Sequence, residues 1–334
     1  MSVAELDARP LPAAREQALC GWGRTAFSVA RVRRPSSLDE IEGVLASAPG
    51  RGGAIARGAG NAYGDAAQNG GGEVLDMTGW DRVVSIDPEQ RLLTAQAGAT
   101  MATLMSRLAA HGLTVPVLPG TRHVTLAGAI ASDIHGKNHH RDGALARHVT
   151  AIELLTPAHG LVRVTPEEDP DLFYATLGGM GLTGVVVEAT LRASQLPSAW
   201  VSADIDRTDG LAATLELLGG DERRRYSVAW LDLLARGRAY GRAVIERADP
   251  LPAADVPSSR RALRASARYP GGLARGPLAR VPGAVPGALL KPWAVRSFNA
   301  ARWRLQPRRA RERPLPIEPY LSLIHISEPT RQAE

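Results

Sequence analysis

The amino-acid sequence predicts an α+β fold in two domains, on three observations. Short β-like runs bounded by glycine fill the chain up to about residue 195, separated by short helical patterns rather than long βαβ crossovers. Longer strand-like runs take over from about residue 196. With 334 residues and 44% hydrophobic content, the chain is long enough to build two cores. The expected organisation is an N-terminal extension at 1–20, a first domain at 21–195 and a second at 196–320.

In chain order, SSLDEIEGVLASA (36–48) has a serine cap and apolar residues at helical spacing. GAIARGAG and EVLDMT read as short buried strands. RLLTAQAGA is strand-like and runs into a helix over 100–111 that Gly112 closes. VTAIELLTP and LVRVTPEE pair as a hairpin, DLFYATLGG reads as a short helix, and GVVVEATLRA is a continuous apolar strand. In the second domain, SAWVSADID, RRRYSVAWLDLL and YGRAVIERA read as longer strands, with a helix at GLAATLELLGG between the first two.

Composition narrows the function classes. The single cysteine, Cys20, excludes an internal disulfide and any multi-cysteine zinc or iron–sulfur site. The N-terminus mixes charges of both signs and shows no secretory h-region, and no stretch reaches ~18 uninterrupted apolar residues. A cytoplasmic protein is the expectation. Of 40 basic residues only Lys137 and Lys291 are lysines, so the net charge of +6 largely reflects arginine usage. Residues 258–313 carry thirteen Arg and Lys291 against the lone acid Glu312. They are expected to form a mobile basic loop, either simply solvated or drawn to an anionic membrane or lipid phosphate. No recognition helix or aromatic platform accompanies this charge, so nucleic acid is not the expected partner. Residues 321–331, LSLIHISEPTR, match the translation of a transposase adapter used in DNA sequencing libraries. Residues 321–334 are therefore set aside as an artefact, and the natural chain is expected to continue past Tyr320.

Three Gly-rich segments each lie beside a strand: ARGAGNAYGDAAQNGGG (56–72), VPVLPGTRHVTLAGAIASDIHGKNHH (115–140) and TLGGMGLTGVVVEATL (176–191). The first lacks the long apolar helix of a Rossmann fingerprint, but its backbone N–H groups can still cradle a pyrophosphate. Three such segments suit one elongated ligand better than three unrelated turns. ASDIHGKNHHRDG (131–143) concentrates three of the eight histidines. His135 and His139 stand at i, i+4 with Asp133 two residues earlier, which is compatible with metal ligation. Gly136 interrupts that helix and the metalloprotease glutamate is absent, so no metal is expected. His139 and His140 are read as anchors of the turn, and His111, His123 and His148 as structural.

In that order, ARGAGNAYGD, LPGTRHVTLAGAIASDIHGKNHH and LGGMGLTGVV resemble the FAD domain of vanillyl-alcohol-oxidase (PCMH) type flavoproteins. The resemblance runs from Trp22 to Ile245 and is strongest to the decaprenylphosphoryl-β-D-ribose 2′-oxidase family, with DIHGKNHH behind LPGTR its most specific part. It implies a PCMH-type FAD-binding domain of two α/β subdomains, followed by an incomplete α+β substrate domain with an antiparallel sheet. It implies that Ala56, Arg57, Gly58, Ala59, Gly60, Asn61, Ala62, Tyr63, Gly64, Asp65 and Ala66 wrap the FAD pyrophosphate. Gly120, Thr125, Leu126, Ala127, Gly128, Ser132, Asp133, Ile134 and His135 would line the flavin and its ribityl chain, and Val187 the adenine side. His135, Lys137 and Tyr63 would face the substrate as catalytic groups. Asn61 stands where many members attach FAD through histidine, and the second loop has no cysteine, so dissociable FAD is expected. Ser132 stands where the nearest family tends to have cysteine.

The implied reaction is oxidation of the 2′-hydroxyl of a polyprenyl-phosphate-linked ribofuranose to the ketone, with hydride passing to flavin N5. Lys137 would stabilise the alkoxide, and His135 would accept or orient the proton. A short-chain reductase partner would complete the epimerisation to an arabinan precursor, with peripheral contact at the plasma membrane. An aldonolactone or alditol oxidase acting on a free sugar is the alternative within enzymes, and a basic lipid- or nucleic-acid-binding protein the alternative outside them. The 334-residue chain is itself expected to be inactive, since half a substrate sheet leaves unpaired edges.

Overall fold

The first of two compact units gathers its apolar residues behind the helix Leu38–Ser47. In the computed structural model, residues 11–219, 224–256 and 291–321 are described. The helix starts where the sequence says it should. Ser37 accepts from the Glu40 N–H at 3.2 Å, and the Glu40 carboxylate accepts from the Ser36 N–H at 2.6 Å. Its inward face, Ile41 and Val44, packs with Leu75, Met77, Ala97, Leu155, Val185 and Val187 into one fully buried cluster.

Two sheets contribute to this unit. The strands β1 (Ala14–Cys20), β2 (Phe27–Arg33), β3 (Ala54–Arg57) and β4 (Glu73–Asp76) form a sheet of order β1-β2-β4-β3, parallel except for the β1–β2 hairpin. The strands β5 (Val83–Asp87), β6 (Leu92–Gln96), β8 (Val149–Thr156), β9 (Gly160–Val164) and β10 (Val185–Arg192) form an antiparallel sheet of order β5-β6-β10-β8-β9. The short β7 (Leu113–Thr114) and β11 (Ser194–Gln195) pair separately. The fold is α+β, and the runs expected as strands, GAIARGAG, EVLDMT, RLLTAQAGA, VTAIELLTP, LVRVTPEE and GVVVEATLRA, carry β3, β4, β6, β8, β9 and β10. The helix expected at 100–111 spans Met101–Ala109, with Thr100 as its cap and Gly112 left-handed beyond it.

In the second unit, β12 (Trp200–Thr208), β13 (Tyr226–Asp232), β14 (Arg242–Pro250) and β15 (Arg309–Pro316) make an antiparallel sheet of order β13-β14-β12-β15. The expected helix appears as Leu211–Gly219.

Three expectations change. Residues 14–20 are not an extension: β1 pairs with β2 along all seven residues, from Ala14↔Arg33 to Cys20↔Phe27. Residues 1–10 lie outside the described residues. The basic stretch is not a loop where it is described. Pro292–Leu305 is a helix and β15 hydrogen-bonds to β12, because Asp206 receives Arg309 and Arg311 and the Trp303 indole donates to the Thr208 carbonyl at 2.9 Å. The rest of that loop, 258–290, and the adapter-like stretch 322–334 lie outside the described residues. Finally, 117–121 and 135–143 belong to the second unit rather than to one unbroken first domain. No helix among the described residues is long and apolar enough to cross a membrane.

Glu73 ties the first sheet together. It is fully buried on β4 and accepts from Arg33 and Arg31 of β2, each at 2.8 Å. Burial pushes its carboxyl up, but the hydrogen bonds and charges of Arg33 and Arg31 outweigh this and hold it below the usual carboxylate range. Its stabilising contribution is therefore present above the unfolded-state pKa and disappears as pH falls through the lower folded one. Glu73→Gln, which leaves two guanidinium groups without their carboxylate, is expected to lose about 3–5 kcal/mol in urea denaturation at neutral pH. The gap between variant and parent narrows as the pH is lowered into the acid range.

Candidate active site

The first Gly-rich loop is shaped by two glycines the sequence reading passed over. A Cβ on Gly21 would come within 1.9 Å of the Gly64 carbonyl oxygen and 2.5 Å of that of Ala62. A Cβ on Gly23 would meet the Tyr63 oxygen at 2.2 Å. The Trp22 N–H donates to the Ala62 carbonyl at 2.6 Å, and the Trp22 ring meets Tyr63 edge-on at 5.3 Å. The carbonyls of 62–64 are thus turned onto GWG. Among the described residues, no backbone N–H from Ala59 to Ala66 donates to another protein group. A run of unpaired donors backed by its own carbonyls has the polarity that phosphate oxygens require, so the loop fits a pyrophosphate-containing cofactor.

Arg57 braces this loop from beneath. Its guanidinium donates to the carbonyls of Ala67 at 3.0 Å and Cys20 at 2.7 Å, and burial lowers its pKa. Gly60 is left-handed, with φ +69°, and its missing side chain leaves room for that guanidinium. Asn61 donates to the His123 carbonyl at 3.1 Å, which joins the first Gly-rich segment to the second. Gly58 makes a second join, since a Cβ there would lie 2.1 Å from the Thr125 hydroxyl.

Thr125 caps the helix Leu126–Ala131 by accepting from Gly128 N–H. Ser132 closes that helix, and Asp133 follows in a left-handed conformation (φ +38°), its carboxylate accepting from Ala146 N–H at 2.8 Å. Ile134 donates to Ala129. The third Gly-rich segment locks onto the same turn: Gly178 N–H donates to Ile130 and Met180 N–H to Ala131, both at 2.9 Å. Val187 lies in the core, its carbonyl accepting from Ala97. Within the first unit these bonds join Gly58 and Asn61 of the first Gly-rich segment, residues 123–134 of the second and Gly178 and Met180 of the third.

His135, Lys137 and Gly120 belong instead to the second unit, while Tyr63 is in the first, 65% exposed. The stretch 135–143 is stitched to β13 and the residues before it. Ser227 N–H donates to the Lys137 carbonyl at 2.8 Å, Arg225 pairs with Asp142 at 2.8 Å, and His140 donates to Arg224 at 2.9 Å. Gly136 is required here, because a Cβ would fall 2.4 Å from the Leu118 carbonyl oxygen. His139 opens a single helical turn, His139–Asp142, and its ring meets His135 edge-on at 5.4 Å. Among the described residues no three His, Cys, Asp or Glu side chains converge as metal ligands.

Lys137 is the chemically distinctive group. Its ammonium donates to the Tyr320 carbonyl and sits 4.4 Å from the centre of the Tyr320 ring. Among the described residues no carboxylate lies within ion-pair distance of it. Burial pushes its pKa below the ordinary lysine range, and the charge of Glu246 on β14 opposes this only in part. Burial, with Glu246, holds the Tyr320 phenol well above the usual tyrosine range, so it remains a neutral wall. Tyr226 completes the aromatic setting, 6.1 Å from Tyr320. Sequence reasoning selected Lys137 but missed Tyr320, Tyr226 and Glu246. The YSVAWLD run offered a signal for Tyr226, and nothing local pointed to the other two.

Residues 29–165 match the family described as FAD binding domain. The chain is 47% identical over 235 residues to decaprenylphosphoryl-β-D-ribose oxidase of Mycolicibacterium smegmatis, covering 69% of this chain and 51% of that protein. It is 30% identical over 176 residues to alditol oxidase of a Streptomyces species, covering 52% and 41%. It is 34% identical over 119 residues to an L-galactono-1,4-lactone dehydrogenase of rice (Oryza sativa subsp. japonica), covering 36% and 20%. The chain thus spans about half the length of the first of these relatives and less of the others.

Two substitutions separate the roles of the glycines around the first loop. Gly21→Ala forces the 62–64 carbonyls to move and is expected to lose about 1–3 kcal/mol in urea denaturation. Gly64→Ala, whose added methyl meets nothing within 4 Å, is expected to stay within about 1 kcal/mol of the parent.

Proposed function

We propose, from the match of residues 29–165 to the FAD binding domain family, an FAD-dependent oxidoreductase that oxidises the 2′-hydroxyl of a polyprenyl-phosphate-linked ribofuranose to the ketone. The observation that carries the reading is Lys137: a half-buried ammonium with no described carboxylate within ion-pair distance. The relative named decaprenylphosphoryl-β-D-ribose oxidase supports the substrate class.

When bound, FAD supplies the acceptor for the hydride that leaves the alcohol carbon. The chain's own residues do the rest. The unpaired N–H groups of Ala59–Ala66 hold the pyrophosphate without a covalent bond, Asn61 being committed to the His123 carbonyl. Thr125–Gly128 and Ser132–His135 line the flavin side, with Gly120 and Val187 as further contacts. Lys137 stabilises negative charge as the hydroxyl loses its proton, because an ammonium in a low-dielectric setting acts more strongly than one in water. His135 receives or orients that proton, and Tyr63 presents its phenol to the substrate. The ketone product then passes to a separate short-chain reductase for return as the epimeric alcohol.

The measurement uses this chain and any longer reading frame that encloses it. Purified protein is expected to take up FAD and show the oxidised-flavin absorbance band, released intact on denaturation. Anaerobic polyprenyl-phosphate ribofuranose bleaches the band, and free alditols or aldonolactones do not. A protein that takes up no flavin overturns the proposal, and bleaching by free sugars alone transfers it to an alditol-oxidase activity. Lys137→Met is expected to lower kcat/KM about 10²–10³-fold with flavin content unchanged. Because burial lowers the Lys137 pKa, activity falls on the alkaline side at a pH below that of an ordinary lysine. Lys137→Arg, which keeps its charge, shifts that limb upward wherever turnover survives.

A further inference from the structure

The helix Pro292–Leu305 turns three large apolar side chains outward. Trp293, Phe298 and Leu305 are 64%, 63% and 83% exposed, and at 100° per residue they fall on one side of the helix with Ser297, Ala301 and Arg304. The opposite side is polar in its contacts with the second unit. Asn299 donates to Asp232 at 2.8 Å, and the Trp303 ring lies between the guanidiniums of Arg207 and Arg242, at 4.1 and 4.9 Å. Arg207 also donates to the carbonyls of Trp303, Arg304 and Gln306, closing the helix C-terminus with a cation. This orientation is fixed by specific bonds, and the same inner side half-buries Val295, Ala300 and Trp303, so the helix carries apolar groups on both sides.

The exposed apolar surface continues beyond the helix. Asp232, on β13, accepts from Asn299 of the helix and from the N–H groups of Leu234 and Ala235. One buried carboxylate thus holds the loop carrying Leu233 (58% exposed) and Leu234 (37% exposed) beside the helix carrying Phe298. Around this surface stand Lys291, Arg304 and Arg308, all exposed and none paired with a described carboxylate, while Arg302 lies over the Trp230 ring at 5.1 Å. Between residues 291 and 311 the sequence contains no acidic residue.

We propose that this face docks on an anionic lipid bilayer, with the helix lying in the interface and Trp293, Phe298 and Leu305 immersed. Exposed ring and aliphatic side chains bordered by unpaired cations are complementary to acyl chains beneath a negative headgroup layer. A nucleic acid would leave Phe298 and Leu305 without a counterpart, and a neutral protein groove would leave the cations without one. The inference stands on this surface alone and does not depend on the flavin reading.

The test is co-sedimentation of the chain with phosphatidylcholine vesicles, with and without phosphatidylglycerol. Binding is expected to require the anionic lipid and to weaken as salt is raised, since exposed charges are screened over ~10 Å at 0.1 M. Trp293→Ser/Phe298→Ser/Leu305→Ser is expected to lower vesicle partition by more than about 10-fold. Arg304→Glu and Lys291→Glu should each lower it by about five-fold or more, and only on anionic vesicles. Circular dichroism of these surface variants is expected to match the parent. The proposal is overturned by no vesicle binding, by binding indifferent to lipid charge, by partition unaltered in the triple variant, or by preferential binding of a single-stranded oligonucleotide.

Discussion

A loop can keep a run of backbone N–H groups unpaired only if its carbonyls are satisfied or sheltered elsewhere. Here that constraint falls on Gly21 and Gly23, whose missing side chains receive the oxygens of Ala62, Tyr63 and Gly64. Everything else in the first unit's candidate site follows from this placement. Arg57 braces the loop, Asn61 and Gly58 bind it to the second Gly-rich segment, and the third segment fastens the end of the following helix. The pattern is one of polarity sorting: the N–H groups of 59–66 are left available while the carbonyls of 62–64 are turned onto Gly21 and Gly23.

The second unit solves a related problem with charge. Lys137 is partly withdrawn from water with no carboxylate at ion-pair distance, and the Tyr320 carbonyl and ring supply oriented negative potential in its place. Asp142 and the backbone of Arg224 and Ser227 hold the stretch on either side of it in place. Such a cation is chemically useful because its position is fixed and its hydration is poor. Glu246 keeps it from losing its proton too readily.

The basic C-terminal stretch shows how charge composition can mislead. An excess of arginine with many prolines reads as a solvated loop, yet Asp206 gathers Arg247, Arg309 and Arg311, and Arg207 closes the end of a helix. Asp206, the acceptor, and Arg207, the donor, lie about one hundred residues before the C-terminal groups they hold, on β12. Local composition registers the cations and has no access to the carboxylate that organises them.

The sequence by itself determined the elements with strong local signals: the Ser37-capped helix, the β8–β9 hairpin, the apolar β10 and the Gly112 stop. It also marked the three Gly-rich segments as glycine-dependent turns and showed that Lys137 stands apart in an arginine-writing chain. Its reading of 14–20 as an extension failed because β1 is almost entirely exposed and is a strand only through its pairing with β2. Tertiary structure alone decided that Gly21 and Gly23 carry the first loop, that Tyr320 covers Lys137, and that 135–143 belongs with the second unit. The reason is common to all three. Periodicity and capping are written in neighbouring residues, whereas a carbonyl's partner, a cation's dielectric and a glycine's need for space depend on which distant backbone folds against it.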